Sequence, residues 1–359
     1  SAWCAIEVAL LDMLGRENGC SIEKMLGLDE SNRKGCYTAV LGYDQKWQYT
    51  ALLDRYFIRG FSDFKIKISG DLDKDQARLD IFENIRLQHG SPKVRIRLDA
   101  NNFWADQPGE AIRYLRQIKG AIFAVEEPVA PGAAEEISRV STETGLPVIL
   151  DESLFFLDQL PVYHALPGQF IANIKLSRVG GILRAIEFIE ALIKKDWKII
   201  VGCHVGETSL LTRTALILAA AAGDHLIAQE GAYGDHCFER EPVAPVLKFG
   251  RRGRLDLTQP YYFATTNGLT VVPVETWDKG LGMTCRMPEP PDDAPPLMDA
   301  FEMHDKYKIH YRWWGPREGE DALLVLHGGM SHSAWQAPLA KALLSISPDI
   351  AVVASDRRG

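Results

Sequence analysis

The sequence lacks any apolar run long enough to cross a bilayer: its most apolar stretch, Ala215 to Ala222, is far short of the roughly 20 residues a membrane helix needs. It lacks a basic excess as well. Forty Lys and Arg stand against 48 Asp and Glu, a net charge of −8, which leaves no basic face for nucleic acid or an anionic membrane. Its six cysteines (Cys4, Cys20, Cys36, Cys203, Cys237 and Cys285) show no CxxC spacing. They read as reduced thiols of a cytoplasmic protein rather than as a zinc site or a disulfide framework. No signal peptide is visible. The one low-complexity segment is Pro- and acid-rich, MPEPPDDAPPLM over 287–298.

What is present is an ordinary globular composition, 46% hydrophobic over 359 residues, enough for two or three domains. Residues 2–16 carry apolar side chains at helical spacing. A regular beat follows, in which short β-rich runs end near Leu41, Lys67, Asp99, Glu126, Asp151, Lys175, Cys203 and Glu230. Amphipathic segments lie between them, clearest at Asp75–Leu87, Gly109–Ile118, Ala133–Thr144, Ile182–Lys195 and Ser209–Ala222. The steps of 24 to 32 residues match the unit of a barrel of parallel strands with helical crossovers. The expected fold class is therefore α/β, a (β/α)8-type, TIM-like barrel. Residues 231–285 lose the beat and read as a tail wrapping back over it.

The strand ends carry the chemistry. Lys65 and Lys67, then Asp99 and Asn101, then Glu126, Asp151 and Lys175 fall at the C-terminal ends of successive strands. That end is where such barrels build active sites. Three carboxylates on three adjacent strands would repel one another unless a hard divalent cation with oxygen ligands joins them, and Mg²⁺ suits that donor set. Lys67 and Lys175 come from strands on either side of the acids and lie in apolar runs (FKIKI and FIANIKL), where an unpaired charge is costly. A lysine serves as a base only if its pKa is lowered, and Lys65 is placed to act on Lys67 in that sense. The combination suits removal of a proton α to a carboxylate. A Lewis acid stabilises the charge that develops, and two lysines take and return the proton on opposite faces. With a leaving or attacking group on the substrate, the same chemistry gives elimination or cycloisomerisation.

The ordered set Lys65-Ile66-Lys67, Leu98-Asp99-Ala100-Asn101, Glu126-Glu127-Pro128, Leu150-Asp151-Glu152-Ser153 and Lys175-Leu-Ser-Arg178-Val-Gly180-Gly181, with a later Gly280-Leu281-Gly282, resembles the muconate-cycloisomerase (mandelate racemase/muconate lactonizing enzyme) subgroup of the enolase superfamily. The resemblance covers roughly residues 1–285. It implies Asp99, Glu126 and Asp151 as ligands of one Mg²⁺, replaceable by Mn²⁺, and Lys67 and Lys175 as the acid/base pair. It also implies a (β/α)7β barrel with Lys65 assisting Lys67 or touching the substrate carboxylate. Asn101, His204, Glu207 and Glu230 are expected to line the substrate pocket. His204 ends the seventh strand as in the mandelate-racemase subgroup, but the sixth strand offers Lys175 where that subgroup has Asp, so its His–Asp dyad is missing. Glu127 stands where many relatives have Gln and reads as an outward or supporting residue.

The expected organisation is the end of a capping domain at 1–30, the barrel and return tail at 31–285, a linker at 286–298 and the start of an α/β-hydrolase domain at 299–359. The last piece resembles that fold at Leu323-Leu-Val-Leu-His327-Gly328-Gly329, at Trp335 and at Ser355-Asp356-Arg357-Arg358-Gly359. It contains no G-x-S-x-G elbow, so no hydrolase triad can be assembled from it. Ser1 reads as mid-helix and Gly359 directly follows a strand-like run, so the sequence is expected to be a piece of a longer polypeptide. The functional expectation is a racemase, epimerase or cycloisomerase acting on a small carboxylate, in a homo-oligomer. The alternatives are a lyase such as an o-succinylbenzoate-synthase-like dehydratase, and a bifunctional isomerase–hydrolase.

Overall fold

The computed structural model describes residues 2–29, 37–42, 46–91, 94–163, 168–231, 243–244, 246–248, 250–255, 270–271, 311–316, 322–325, 337–346, 348 and 351–355. Eight parallel strands form one sheet in chain order. They are β1 (Ala39–Leu41), β2 (Asp63–Lys67), β3 (Arg95–Asp99), β4 (Ile122–Glu126), β5 (Val148–Leu150), β6 (Phe170–Lys175), β7 (Lys198–Gly202) and β8 (Leu226–Gln229). The sheet closes on itself through a parallel bridge between Tyr37 and Gln229, where the Thr38 amide donates to the Gln229 carbonyl at 2.8 Å. The expected barrel is thus present, each strand ending within a residue or so of the polar position that marked it.

Helices α1 (Ala2–Asn18) and α2 (Ile22–Met25) precede the barrel. The crossovers are α3 (Lys46–Arg59), α4 (Leu72–Gln88), α5 (Pro108–Gln117), α6 (Ala134–Thr144), α8 (Ile182–Lys194, after the single turn α7, Leu176–Val179) and α9 (Ser209–Ala222). Local chemistry sets their ends. Asp71 accepts the Lys74 amide at the start of α4, Pro108 opens α5, and Gly145 ends α6 at φ 72°, a conformation that favours glycine. Between β5 and β6 the described residues hold no α-helix, only a 3₁₀ turn at Leu157–Val162 with Pro161 inside it. Proline cannot donate the amide that a longer helix would need there.

Alternation along each strand divides the core. Outward residues such as Phe64, Ile66, Leu98, Val125, Ile174 and Val201 pack with the inner faces of the helices in one large cluster. Phe57, Phe64 and Phe82 join α3, β2 and α4 with ring centroids 4.9 to 5.4 Å apart, an arrangement that adds to simple burial. Ala124, Ile149, Ile171, Ile200 and Ala228, one from each of β4 to β8, form a separate cluster inside the barrel. On the β1–β3 side the interior is polar instead. Fully buried Arg97 donates to Thr38 Oγ1 at 2.5 Å and to Asp63 Oδ1 at 2.9 Å.

Helices α1 and α2 pack against α7, α8 and α9. A buried pair, Glu23 of α2 with Arg213 of α9, ties the latter contact, with oxygen–nitrogen distances of 2.8 and 3.1 Å. Further along, β9 (Val243–Ala244) pairs with β10 (Thr270–Val271). A separate sheet holds β11 (Tyr311–Trp314), β12 (Ala322–Val325) and β13 (Ala351–Ser355), with α10 (Ala337–Ile346) between the last two. In it β13 lies between an antiparallel β11 and a parallel β12. The linker at 286–298, Gly280–Gly282, His327–Gly329, Trp335 and Asp356–Gly359 lie outside the described residues. Cys4, Cys20 and Cys203, the cysteines among the described residues, are free thiols. No helix among the described residues is long and apolar enough to cross a membrane.

Candidate active site

The register of the parallel strands brings the chemistry-bearing residues together. Lys67 is level with Asp99, and Asp99 with Glu126, across β2, β3 and β4. Asp151 follows the last residue of β5, and Lys175 ends β6. The loop after β2 is secured by Asp75, which accepts the Ser69 and Gly70 amides, the Ser69 hydroxyl and the Tyr114 hydroxyl at 2.8 to 3.1 Å. The turn after β3 passes through Asn101 at φ 44° and Asn102 at φ 59°, left-handed backbone that asparagine tolerates better than most residues. Asn101 then accepts the Lys67 ammonium on Oδ1 at 2.9 Å, while its own amide donates to Asp99 Oδ1 at 3.1 Å.

Lys65 is 5% exposed and lies among three acids. Its Nζ is 3.0 and 3.1 Å from the two Glu126 oxygens, 3.2 Å from Glu230 Oε2 and 3.5 Å from Asp99 Oδ2. Burial works against its ammonium, but Glu126, Glu230 and Asp99 outweigh that and hold its pKa well above the ordinary lysine value. Lys67 stands higher in the mouth, 3.8 Å from Asp99 and about a third exposed. Across the mouth, Lys175 donates to Asp151 Oδ2 at 2.6 Å and Arg178 donates to Asp151 Oδ1 at 2.5 Å. Arg178 also stacks over Phe155, 4.6 Å from its ring centre.

The lysine chemistry departs from expectation at one point. A base with a lowered pKa was required, yet Lys175 is raised: burial lowers it, but the carboxylates of Asp151 and Glu126 prevail. Lys175 becomes a free amine readily only when Asp151 is engaged elsewhere.

Asp99, Glu126 and Asp151 are brought to adjacent strand ends, but each is turned onto ammonium or guanidinium groups. Among the described residues no three His, Cys, Asp or Glu are arranged around a single point as metal ligands. The donor set nevertheless fits a divalent cation. Burial pushes the Glu126 carboxyl up to about 8 against the pull of Lys65, and the neighbouring Asp99, Glu230 and Asp151 carboxylates add to the rise. Such mutual repulsion among oxygen donors is what Mg²⁺ or Mn²⁺ relieves.

The expected pocket residues are placed unevenly. Glu230 is buried at the end of β8, its pKa lowered: burial opposes its charge, but Lys65, Arg97 and Lys175 more than offset it. Glu207 folds back to accept the His204 amide at 2.9 Å, and burial raises it to about 7. His204 is exposed as a residue, but partial desolvation of its ring, together with Lys175 and Arg178, lowers its pKa to about 4, so it is neutral at pH 7. Among the described residues its ring has no carboxylate hydrogen-bonded to it of the kind the dyad would need.

Two supporting residues, Arg97 and Arg178, carried no role from sequence, and a third, Glu127, had its reading left open. Arg97, two positions before Asp99 and so on the same face of β3, donates to Glu230 Oε1 at 3.2 Å. Arg178 braces Asp151. Glu127, at φ 40° and fully buried, accepts the Asp151 amide at 2.6 Å, the Ser153 amide at 2.8 Å and the Ser153 hydroxyl at 2.7 Å. It clamps the loop that carries Asp151, which settles its reading as a supporting rather than outward residue.

Glu127 also gives a pH prediction. Burial raises its pKa from 4.5 to about 7. A group whose folded pKa exceeds its unfolded value lends its stability below the unfolded pKa and loses it as pH rises through the folded one. Glu127 therefore costs the native state about 3 kcal/mol as pH climbs from 4.5 to above 7. Glu127→Gln, which keeps the acceptor for both amides, is expected to be the more stable protein at pH 8 and no more stable at pH 4.5. Urea unfolding of both proteins in EDTA at the two pH values checks this; an equal gap at both would show that the Glu127 proton plays no part.

With the geometry established, comparison with known proteins decides the family. Residues 48–277, more than half of the chain, match the family model "Enolase C-terminal domain-like". The chain belongs to that family. The L-Ala-D/L-Glu epimerase of Bacillus subtilis is 32% identical over 226 residues, 62% of this chain and 58% of that protein. The chain thus spans less than two-thirds of the length of the first curated relatives it matches. Among solved structures, a dipeptide epimerase from Cytophaga hutchinsonii complexed with Mg and the dipeptide D-Ala-L-Val superposes with a TM-score of 0.63 at 20% identity, covering 75% of this chain and 70% of that one. A 2-chloromuconate cycloisomerase from Rhodococcus opacus gives the same TM-score at 21% identity, covering 75% and 72%. At these identities the structures establish the shared fold, and the cycloisomerase is one relative among epimerases and racemases.

Proposed function

We propose that this enolase-family barrel is an isomerase, an epimerase or racemase that exchanges the α-hydrogen of a small carboxylate such as a dipeptide or N-acyl amino acid. One observation carries the reading. Lys67 on β2 and Lys175 on β6 face each other across the mouth, with the carboxylates of β3, β4 and β5 between them. The relatives' names, epimerases of dipeptides, favour this over the muconate-type cycloisomerase and the dehydratase.

In this reading Asp99, Glu126 and Asp151 hold Mg²⁺, which when bound supplies a Lewis acid for the negative charge that develops on the substrate carboxylate. Lys67 and Lys175 approach the α-carbon from opposite faces. The one that is a free amine takes the proton, and the ammonium opposite delivers one, inverting the centre. Asn101 holds the Lys67 amine in place, and Arg178 keeps Asp151 oriented when Lys175 lets go of it. Glu127 fixes the backbone under Asp151. His204 and Glu207 line the β7 side of the pocket.

The test is α-hydrogen exchange followed by NMR in D₂O, with dipeptides, N-acyl amino acids and cyclohexadiene-type diacids. Exchange is expected with Mg²⁺ or Mn²⁺, to vanish in EDTA and to return when the cation is restored. Exchange that continues undiminished in EDTA would sink the cation-dependent reading.

A further inference from the structure

The Lys65 ammonium stands in the middle of the carboxylates that a divalent cation would need. It donates to both oxygens of Glu126, at 3.0 and 3.1 Å, and lies 3.5 Å from Asp99 Oδ2. Its third carboxylate differs from these two. Glu230, at 3.2 Å, directly follows β8, away from the β3–β5 acids, and its other oxygen is taken by Arg97 Nη1 at 3.2 Å. Arg97 is itself fully buried and held by Thr38 and Asp63. Glu230 is therefore an anion pinned from below, unable to follow a cation toward Asp99 and Glu126.

Two cations cannot share Glu126 and Asp99 at close range inside a low-dielectric site. Nor can a buried ammonium be left without a counter-charge. We propose that Lys65 keeps the Asp99 and Glu126 carboxylates paired before the divalent cation arrives, and that Glu230, anchored by Arg97, is the seat to which the Lys65 ammonium withdraws when the cation takes them. Glu230 and Arg97 are then positioning residues acting through Lys65. The inference rests on the cation-binding reading above and adds to it a competition internal to the chain.

The competition makes opposite predictions for its two ends. Lys65→Met removes the competitor, so Mn²⁺ affinity should rise about tenfold or more. Glu230→Gln removes the seat and leaves the ammonium on Glu126, so affinity should fall about tenfold. In the double variant Lys65→Met/Glu230→Gln, the Glu230 effect should vanish because no ammonium remains to be seated.

The experiment is titration of the full chain with Mn²⁺, free ion read by electron paramagnetic resonance, on the parent protein, these three variants and Asp99→Asn, with circular dichroism to confirm that each is folded. If Glu230→Gln does not fold, Glu230→Asp takes its place, keeping the charge but shortening its reach, with a smaller fall expected. Tighter binding in Lys65→Met, together with a Glu230 effect confined to proteins that retain Lys65, supports the proposal. Binding that Asp99→Asn weakens but Lys65→Met leaves unchanged overturns the proposal and spares the cation site. So does a Glu230 effect that persists in full without Lys65. Absence of Mn²⁺ binding in the parent protein overturns both readings.

Discussion

In a Lys175→Ala protein, α-hydrogen exchange is expected to fall about 10²- to 10⁴-fold for the enantiomer whose hydrogen faces β6, while the opposite enantiomer continues to exchange. Lys67→Ala should show the mirror pattern, and neither variant should interconvert the enantiomers. The asymmetry follows from topology. Lys67 and Lys175 end β2 and β6, which the sheet separates by β3, β4 and β5, so a substrate anchored on those central acids presents one face to each lysine. Both variants should fold. Lys67 is about a third exposed, and in Lys175→Ala the Asp151 carboxylate retains Arg178 at 2.5 Å. NMR in D₂O with each pure enantiomer separates the outcomes. Equal loss for both enantiomers in both variants would place the two amines on one catalytic step and contradict the opposed-face arrangement.

The second large effect concerns stability. Glu23→Ala is expected to lower the unfolding free energy by about 3–5 kcal/mol. Both side chains of the Glu23–Arg213 pair are 0% exposed, and both carboxylate oxygens are used, at 2.8 and 3.1 Å. Removing the acid takes both of these short ion-pair bonds from a guanidinium buried between α2 and α9. Replacing the two together, Glu23→Leu with Arg213→Met, should restore most of the loss, since apolar side chains of similar volume avoid the desolvation cost. Urea unfolding of the three proteins is the measurement. A loss below about 1 kcal/mol for Glu23→Ala would show that the guanidinium reaches solvent or another acceptor on relaxation.

Much of this was legible in the chain because the barrel writes itself locally. Each strand is an apolar run that stops at a polar residue, and the run FKIKI or RIRLD shows in its alternation which side chains share a face. The β5–β6 connection holds Pro161 inside a 3₁₀ turn and, among the described residues, no α-helix. The supporting cast was harder to see. Arg97 sits in phase with Asp99 on β3, so alternation places it inside the barrel, but only closure of the sheet brings it to Glu230, 133 residues away. Glu127 follows Glu126 immediately and would point outward on a regular strand; the left-handed backbone at φ 40° turns it under Asp151 instead. Arg178 lies one turn beyond Lys175, yet its role depends on the distance to Asp151, which no local pattern contains. The Glu23–Arg213 pair spans 190 residues and has no local signature at all. For Lys175, the sequence marked a lysine at the end of β6, but its proton affinity is set by Asp151 at 2.6 Å, a quantity that arises only when the strands are side by side.

The closure of the barrel has a consequence for how the molecule breathes. β6 and β7 are joined by five paired positions, whereas among the described residues β8 meets the segment just before β1 through one bridge, Tyr37–Gln229, and the Thr38 amide. Native-state hydrogen exchange should therefore begin at this seam, with the Thr38 amide trading for deuterium well before the β6–β7 ladder. Because Thr38 also holds Arg97, each opening of the seam loosens one of the bonds that anchor Glu230. Among the described residues, the lightest seam of the barrel is thus two hydrogen bonds, through Arg97, from Glu230.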